Sequence, residues 1–340
     1  MIINTLALII FSLIITFLII RYRNIISKKL KIIDFPNEKR KIHKKPTPLI
    51  GGLIIFLNFI LIHLYLISIK SLTLLDINIL VFCLFSFLVG FIDDIKKISS
   101  ISKLLLIGFG YIIIGLFSDF FFIDLIYFET FSKTFSLEIM SIFFSVLCLL
   151  LLINAFNLID GINGLAILIA IIWLSYFFNY FDNMNLSYIL LIISLFIILP
   201  FNLKGYFFLG DSGSILLGSI IGSMFISNYN QSALLITQRP VEEIFILFMV
   251  PGIDMFRLFL ERILKGKNPF SSDGNHLHHH LIKRYNLSKS LFIYLLLILI
   301  PLISCNLKII STYLIIFLSI ILYVSLLLFL RKKTTSYKNQ

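Results

Sequence analysis

The chain is a succession of long apolar runs broken by short polar stretches. The first run, residues 2–20, ends at Arg21-Tyr22-Arg23. A membrane-crossing helix needs about 17–25 mostly apolar residues. Runs that approach or meet this length follow at roughly 49–69, 77–92, 103–118, 136–153, 164–181, 187–203, 213–229, 242–264, 288–306 and 308–330. The pattern predicts an all-α polytopic integral membrane protein of eleven transmembrane helices. The expected organisation is one transmembrane domain over 1–340, closed by a basic tail at 331–340.

Composition agrees. The sequence is 59% hydrophobic and 14% charged, with mean hydropathy +1.03, whereas a soluble domain carries about 25% charged residues. No basic residue precedes the first run, so it reads as an uncleaved span with its N-terminus outside rather than as a signal peptide. The stretches 21–48, 93–102, 154–163, 204–212 and 265–287 and the C-terminal tail then share one side. All of the 29 Lys and Arg residues except Lys70, Lys133, Arg239 and Lys308 fall on or next to it. Basic residues stay cytoplasmic, so this side is cytoplasmic. The net charge of +12 is then a matter of topology and contact with anionic membrane lipids, not of nucleic-acid binding. Cys83, Cys148 and Cys305 have no paired spacing, so neither a disulfide framework nor a zinc site is expected.

The polar clusters lie on that same side. Asn154, Asn157, Asp160 and Asn163 recur every third residue in Asn-Ala-Phe-Asn-Leu-Ile-Asp-Gly-Ile-Asn-Gly-Leu. Such groups are costly at a bilayer edge and mark a functional site; a helix cap would need only one of them. Asp93-Asp94 are adjacent carboxylates, which persist most naturally where a cation offsets them, as oxygen ligands do for Mg²⁺. Gly210-Asp211-Ser212-Gly213-Ser214 opens a span, and a helix start exposes amides to an anion. Asp211 there suits a metal better than a bare phosphate. His276, His278, His279 and His280 crowd five positions and suit contact with a diphosphate, as imidazolium donors, better than zinc. Lys39 to His43, followed by Pro46-x-Pro48 and Gly51-Gly52, could hold phosphate or anchor a span. His63 and Glu129 read as structural. Asp254 and Arg257 are i,i+3 neighbours that could pair or face the cleft. Carboxylates, phosphate donors and a lipid-side position together describe phosphoryl transfer, where catalysis is positioning plus charge stabilisation.

In this order, Asp93-Asp94, Asn154-x-x-Asn157-x-x-Asp160-Gly161, Gly210 to Ser214 and His278-His279-His280 resemble the polyprenyl-phosphate N-acetylhexosamine-1-phosphate transferases of glycosyltransferase family 4. The resemblance spans about 34–285. It implies transfer of a UDP-activated N-acetylhexosamine 1-phosphate to undecaprenyl phosphate with release of UMP. It implies Mg²⁺, with Mn²⁺ as a substitute, a bacterial inner-membrane location and an active-site cleft facing the cytoplasm. By resemblance, Asp93, Asp94, Asp160 and His279 are catalytic, and Asp94 and Asp211 lie on or near the metal. Asn154, Asn157, Phe208, His278, His280, Lys41 and His43 bind substrate, Phe208 by stacking on uracil. A homodimer is compatible with it.

Two branches of the family compete. The continuation Leu281-Ile282 after the histidines, together with Arg40-Lys41-Ile42-His43, is similar to the branch that primes cell-surface polysaccharides from UDP-GlcNAc. The alternative is the phospho-N-acetylmuramoyl-pentapeptide transferase of peptidoglycan synthesis. Two departures stand out: Asn163 replaces the usual Asp, and the first motif ends in Lys97 without a third acid. A transporter or flippase would place acids at midspan in paired broken helices. A CDP-alcohol phosphotransferase would need a different continuation after Asp160-Gly161.

Overall fold

The computed structural model describes residues 2–36, 43, 45–118, 120–180, 186–234, 239–271 and 274–336. Every apolar run overlaps a helix: α1 Ile2–Arg21, α3 Gly51–Ser68, α4 Leu74–Lys96, α5 Ser100–Gly115, α6 Met140–Ile159, α7 Leu165–Tyr180, α8 Leu186–Leu203, α9 Gly210–Leu234, α10 Val241–Leu264, α12 Leu287–Asn306 and α13 Thr312–Ser336. Two short helices, α2 Arg23–Leu30 and α11 Leu277–Arg284, lie in stretches expected to be polar loops. So do the paired strands β1 (Ile33–Asp34) and β2 (Thr47–Pro48). A second hairpin, β3 (Leu125–Phe128) with β4 (Lys133–Ser136), separates α5 from α6.

Among the described residues six helices are long and apolar enough to cross a membrane: α3, α4, α6, α8, α12 and α13. The bent pair α1–α2, with a 71° break, makes a seventh if it counts as one span. In a bilayer every backbone polar group must be satisfied within the protein, which a helix does by itself. The chain is therefore a helical, multi-pass membrane protein.

By contacts the chain divides into residues 1–123 with 139–232, and residues 124–138 with 233–340. In the first unit, α1, α3 and α8 pack on one another, as do α4 with α3 and α5, α6 with α5 and α7, and α7 with α8. Helix α9 is buried along its length, with Ser212, Ser214, Ser219, Ser223 and Ser227 all inside. Gly218 and Gly222 let it approach α6: a Cβ at Gly222 would stand 2.5 Å from Leu149. Small residues at such contacts are how helices associate where the hydrophobic effect gives no drive. In the second unit, α10, α12 and α13 pack together, α11 rests on α12 and α13, and β3 lies against α10. Glu242 fixes that hairpin by accepting from the amides of Glu129 (3.2 Å) and Thr130 (3.1 Å).

The helices that carry the motifs extend past their apolar runs. Helix α4 continues through Asp93-Asp94 to Lys96, α6 through Asn154 and Asn157 to Ile159, and α9 begins at Gly210. These residues, expected on loops, therefore sit on or at the ends of helices. Polar side chains can occupy helical turns here because other helix ends supply their partners.

Candidate functional site

In the first unit, three helix ends meet through glycine. A Cβ on Gly90 of α4 would fall 2.7 Å from the Asp211 carbonyl and the Ser212 Cα; one on Gly52 of α3 would fall 2.5 Å from the Gly213 nitrogen. Only a bare backbone allows that approach. The Gly51 and Gly52 amides donate to the Phe208 and Leu209 carbonyls at 3.0 and 2.9 Å, and the Phe208 amide donates to Pro48. The glycine pair therefore anchors the segment leading into α9, and those two amides are not open to a phosphate.

Asp94 projects onto the start of α9. Its two oxygens accept from the amides of Asp211 (2.8 Å) and Ser212 (3.0 Å). The anion expected at this helix start is thus supplied by the protein, and the helix dipole favours it. Gly210, at φ +73°, makes the turn that aims these amides at Asp94.

Asp93 is buried. One oxygen accepts from the Ile98 amide (2.7 Å), closing the turn that Lys97 makes at φ 51°. The other pairs with Lys103 Nζ at 2.5 Å, and Lys103 also reaches Asp211 Oδ1 at 3.0 Å. One ammonium therefore bridges two of the motif carboxylates. Asn157 accepts from Ser214 Oγ (2.6 Å) and bonds the Asp211 carboxylate. Asn154, half-buried, precedes it by one helical turn on the same face.

Asp160 caps α6. Burial, with the charges of Asp211 and Asp94 behind it, pushes its carboxyl well above the usual carboxylate range. Asn202 ties two motifs together: it accepts from the Gly164 amide (2.6 Å) and donates to the Phe207 carbonyl (3.0 Å). Asn163 faces the Gly205 turn of the same segment. His43 meets Phe208 edge to face, ring centres 5.1 Å apart, and its Nε2 lies 3.4 Å from Asp34. Lys41 lies outside the described residues.

Four carboxylates, Asp93, Asp94, Asp160 and Asp211, thus interact around one helix start, with Lys103 as the cation bonded among them. Among the described residues, no three His, Cys, Asp or Glu side chains are gathered closely enough to cage a metal by themselves. The oxygen-only donor set and its surplus negative charge suit a hard divalent cation that takes one or two carboxylates and completes its shell with phosphate and water.

The histidines lie in the second unit. Asp254 of α10, 1% exposed, accepts on Oδ1 from Arg257 (2.8 Å) and Tyr323 (2.6 Å), and on Oδ2 from His276 Nδ1 (2.9 Å). The Leu277 amide, at the start of α11, lies 3.2 Å from both oxygens. Asp254 and Arg257 therefore pair, one of the two outcomes their spacing allowed. Arg257 continues to Glu261, which also holds Arg331. His276 stands parallel to His278, centres 5.5 Å apart, and His278 lies 4.2 Å from His279. Both ring nitrogens of His278 and of His280 are buried with no hydrogen-bond partner.

Burial first, then the neighbouring histidines for His278 and His279 and Lys283 for His279 and His280, holds His278 well below the ordinary imidazole range, His280 below it, and His279 at about 4. These shifts favour the neutral imidazole, which still has one N–H to give. His63 bonds its own helix at Phe59, and Glu129 belongs to the hairpin latch.

Sequence reasoning missed Lys103, whose one signal is a lone cation in an apolar run ten residues after Asp93. It also missed Asn202 and Tyr323, whose partners lie 38 and 69 residues away and leave no local mark.

Residues 77–228 match the family model for glycosyl transferase family 4. An undecaprenyl-phosphate alpha-N-acetylglucosaminyl 1-phosphate transferase of Thermotoga maritima is 27% identical over 281 residues, covering 82% of this chain and 83% of the relative. Its namesake in Escherichia coli strain K12 is 26% identical, covering 79% and 74%. A probable undecaprenyl-phosphate N-acetylglucosaminyl 1-phosphate transferase of Bacillus subtilis strain 168 is 29% identical, covering 76% and 71%. The chain is thus similar to glycosyl transferase family 4 over residues 77–228, and to these named transferases over about four-fifths of its length.

Proposed function

We propose that the protein transfers GlcNAc 1-phosphate from UDP-GlcNAc to undecaprenyl phosphate, giving a lipid-linked sugar diphosphate and UMP. This would be the first membrane step of a cell-surface polysaccharide. The names of relatives aligned over about four-fifths of the chain support this substrate pair. The observation that carries the chemistry is the grip of Asp94 on the start of α9, which sets it beside Asp211, while Lys103 joins Asp211 to Asp93 and Asp160 lies within reach of the charges of Asp94 and Asp211.

In the transfer, an oxygen of the lipid phosphate forms a bond to the sugar-bearing phosphorus of the nucleotide sugar. The bond from that phosphorus to the bridging oxygen breaks, and UMP leaves with the electron pair. Asp94 and Asp211 would hold Mg²⁺, or Mn²⁺ in its place, which when bound offsets charge on the diphosphate oxygens. Asp93 and Lys103 keep Asp211 in place, and Asp93 orients the acceptor phosphate. Asp160, beside Asp94 and Asp211, lies on the nucleotide-sugar side. Asn154 and Asn157 line the sugar-nucleotide side, with Phe208 and His43 at the base. The neutral imidazoles of His278, His279 and His280 give N–H donors to phosphate or sugar oxygens. The cluster faces the cytoplasm of a bacterial inner membrane in this reading, with all eleven runs spanning and the N-terminus outside.

Purified protein given undecaprenyl phosphate, UDP-GlcNAc and Mg²⁺ should form the lipid-linked product, lose the activity on chelation and regain it with Mg²⁺. Full activity in chelator would remove the metal from this mechanism. Product from UDP-MurNAc-pentapeptide alone would favour the peptidoglycan branch.

A further inference from the structure

Asp254 has more partners than its charge requires. Arg257 neutralises it at 2.8 Å, and Tyr323 adds a hydrogen bond. The remaining two partners, the His276 ring and the Leu277 amide, both come from the histidine segment. We infer that Asp254 is a positioning residue for that segment: its grip on His276 and on the first amide of α11 sets where the rings of His278, His279 and His280 stand. The inference rests on the proposed transfer for its functional meaning.

Three observations carry it. Helix α11 has eight residues, well short of the roughly 12–15 at which a helix begins to hold itself in water, so its position comes from its anchors. The His276 ring is the platform of the cluster, parallel to His278 within 6° and 6.1 Å from His279. A shift of His276 therefore passes to its neighbours. Finally, the ring nitrogens of His278 and His280 are buried without partners. Buried polar groups left unpaired cost stability, so a segment that keeps four such atoms needs rigid support and retains bonding capacity for a ligand. The carboxylate also selects a tautomer, because Nδ1–H of His276 donates to it, whether or not Nε2 carries a proton.

A plain strut would use the same contacts, and Glu261 separates the two roles. It holds Arg257 and Arg331 at 2.8 and 2.7 Å without touching a histidine. For full-length protein in detergent, Asp254→Asn should raise KM for UDP-GlcNAc about tenfold, the scale of one charge-assisted hydrogen bond. KM for undecaprenyl phosphate should not change. Amide hydrogen exchange should quicken over residues 274–284. Glu261→Gln should alter none of these. If Asp254→Asn fails to fold, His276→Ala removes the ring half of the grip while leaving the Leu277 amide and the Asp254–Arg257 pair, and shifts in the same direction are expected. Unchanged KM and exchange in the variant that cuts the grip, or equal shifts for both substrates in both variants, would overturn the inference. If wild-type protein releases no UMP, the transfer reading fails on its own. Exchange then decides alone: quickening confined to Asp254→Asn sustains the positioning role, and equal exchange ends it.

Discussion

The two clusters handle buried charge in opposite ways. In the second unit, Asp254 is fully compensated: one guanidinium, one hydroxyl, one imidazole and one amide meet it. In the first unit, four interacting carboxylates share one bonded ammonium, Lys103. A fully paired buried acid is built to stay as it is. An under-compensated group of acids holds an incoming cation, at a standing cost to the empty fold. The contrast sets an acid that is locked by its partners against acids left with charge to offset, although the sequence shows an Asp in each place.

The largest effect that sharpens the contrast is expected at Asp211. Asp211→Asn should lower UMP release at least about 10²-fold, the scale of losing a central charge-stabilising group, while the protein still inserts in the membrane. Near-normal turnover would take Asp211 out of the centre.

Next comes Lys103. Lys103→Ala leaves Asp93 and Asp211 unpaired, and breaking one partner of a buried pair costs about 3–5 kcal/mol. The melting temperature should fall. Adding Asp93→Asn should restore part of the stability and none of the turnover. A neutral Lys103→Ala would mean that solvent already screens the pair.

Gly90→Ala and Gly252→Ala probe the close approach. The first puts a methyl group 2.7 Å from the Asp211 and Ser212 backbone, the second finds nothing within 4 Å. Gly90→Ala should separate α4 from α9 and abolish most activity. Gly252→Ala should be harmless or stabilise by up to about 1 kcal/mol, as alanine does in a helix interior. Equal activities would show that the α4–α9 contact does not set the site. The smallest effect is expected for Asn163→Asp, which faces the Gly205 turn and should leave turnover close to normal; a dead enzyme would reveal a rebuilt pocket.

Much of this was legible in the apolar pattern. A long apolar run has few structural options in a membrane, so each run overlaps a helix. What escaped was set by distant partners. The apolar runs stop near residue 92 and at residue 153, yet α4 and α6 reach Lys96 and Ile159, because Asp93, Asp94 and Asn157 bond the α5 turn and the start of α9. Helix α11 is too short for a periodicity signal, and Asp254 holds it from 23 residues away. The motif acids themselves were visible as charges next to spans, but the one pairing among them that sequence could hint at, through Lys103, looked like ordinary flanking charge.

The most direct test of the transfer is UMP release by membranes carrying this protein, with undecaprenyl phosphate and Mg²⁺, when UDP-GlcNAc and UDP-MurNAc-pentapeptide are supplied separately. The account predicts UMP from UDP-GlcNAc alone, abolished by Asp211→Asn. UMP only from the pentapeptide substrate, or release from UDP-GlcNAc that survives Asp211→Asn, would contradict it.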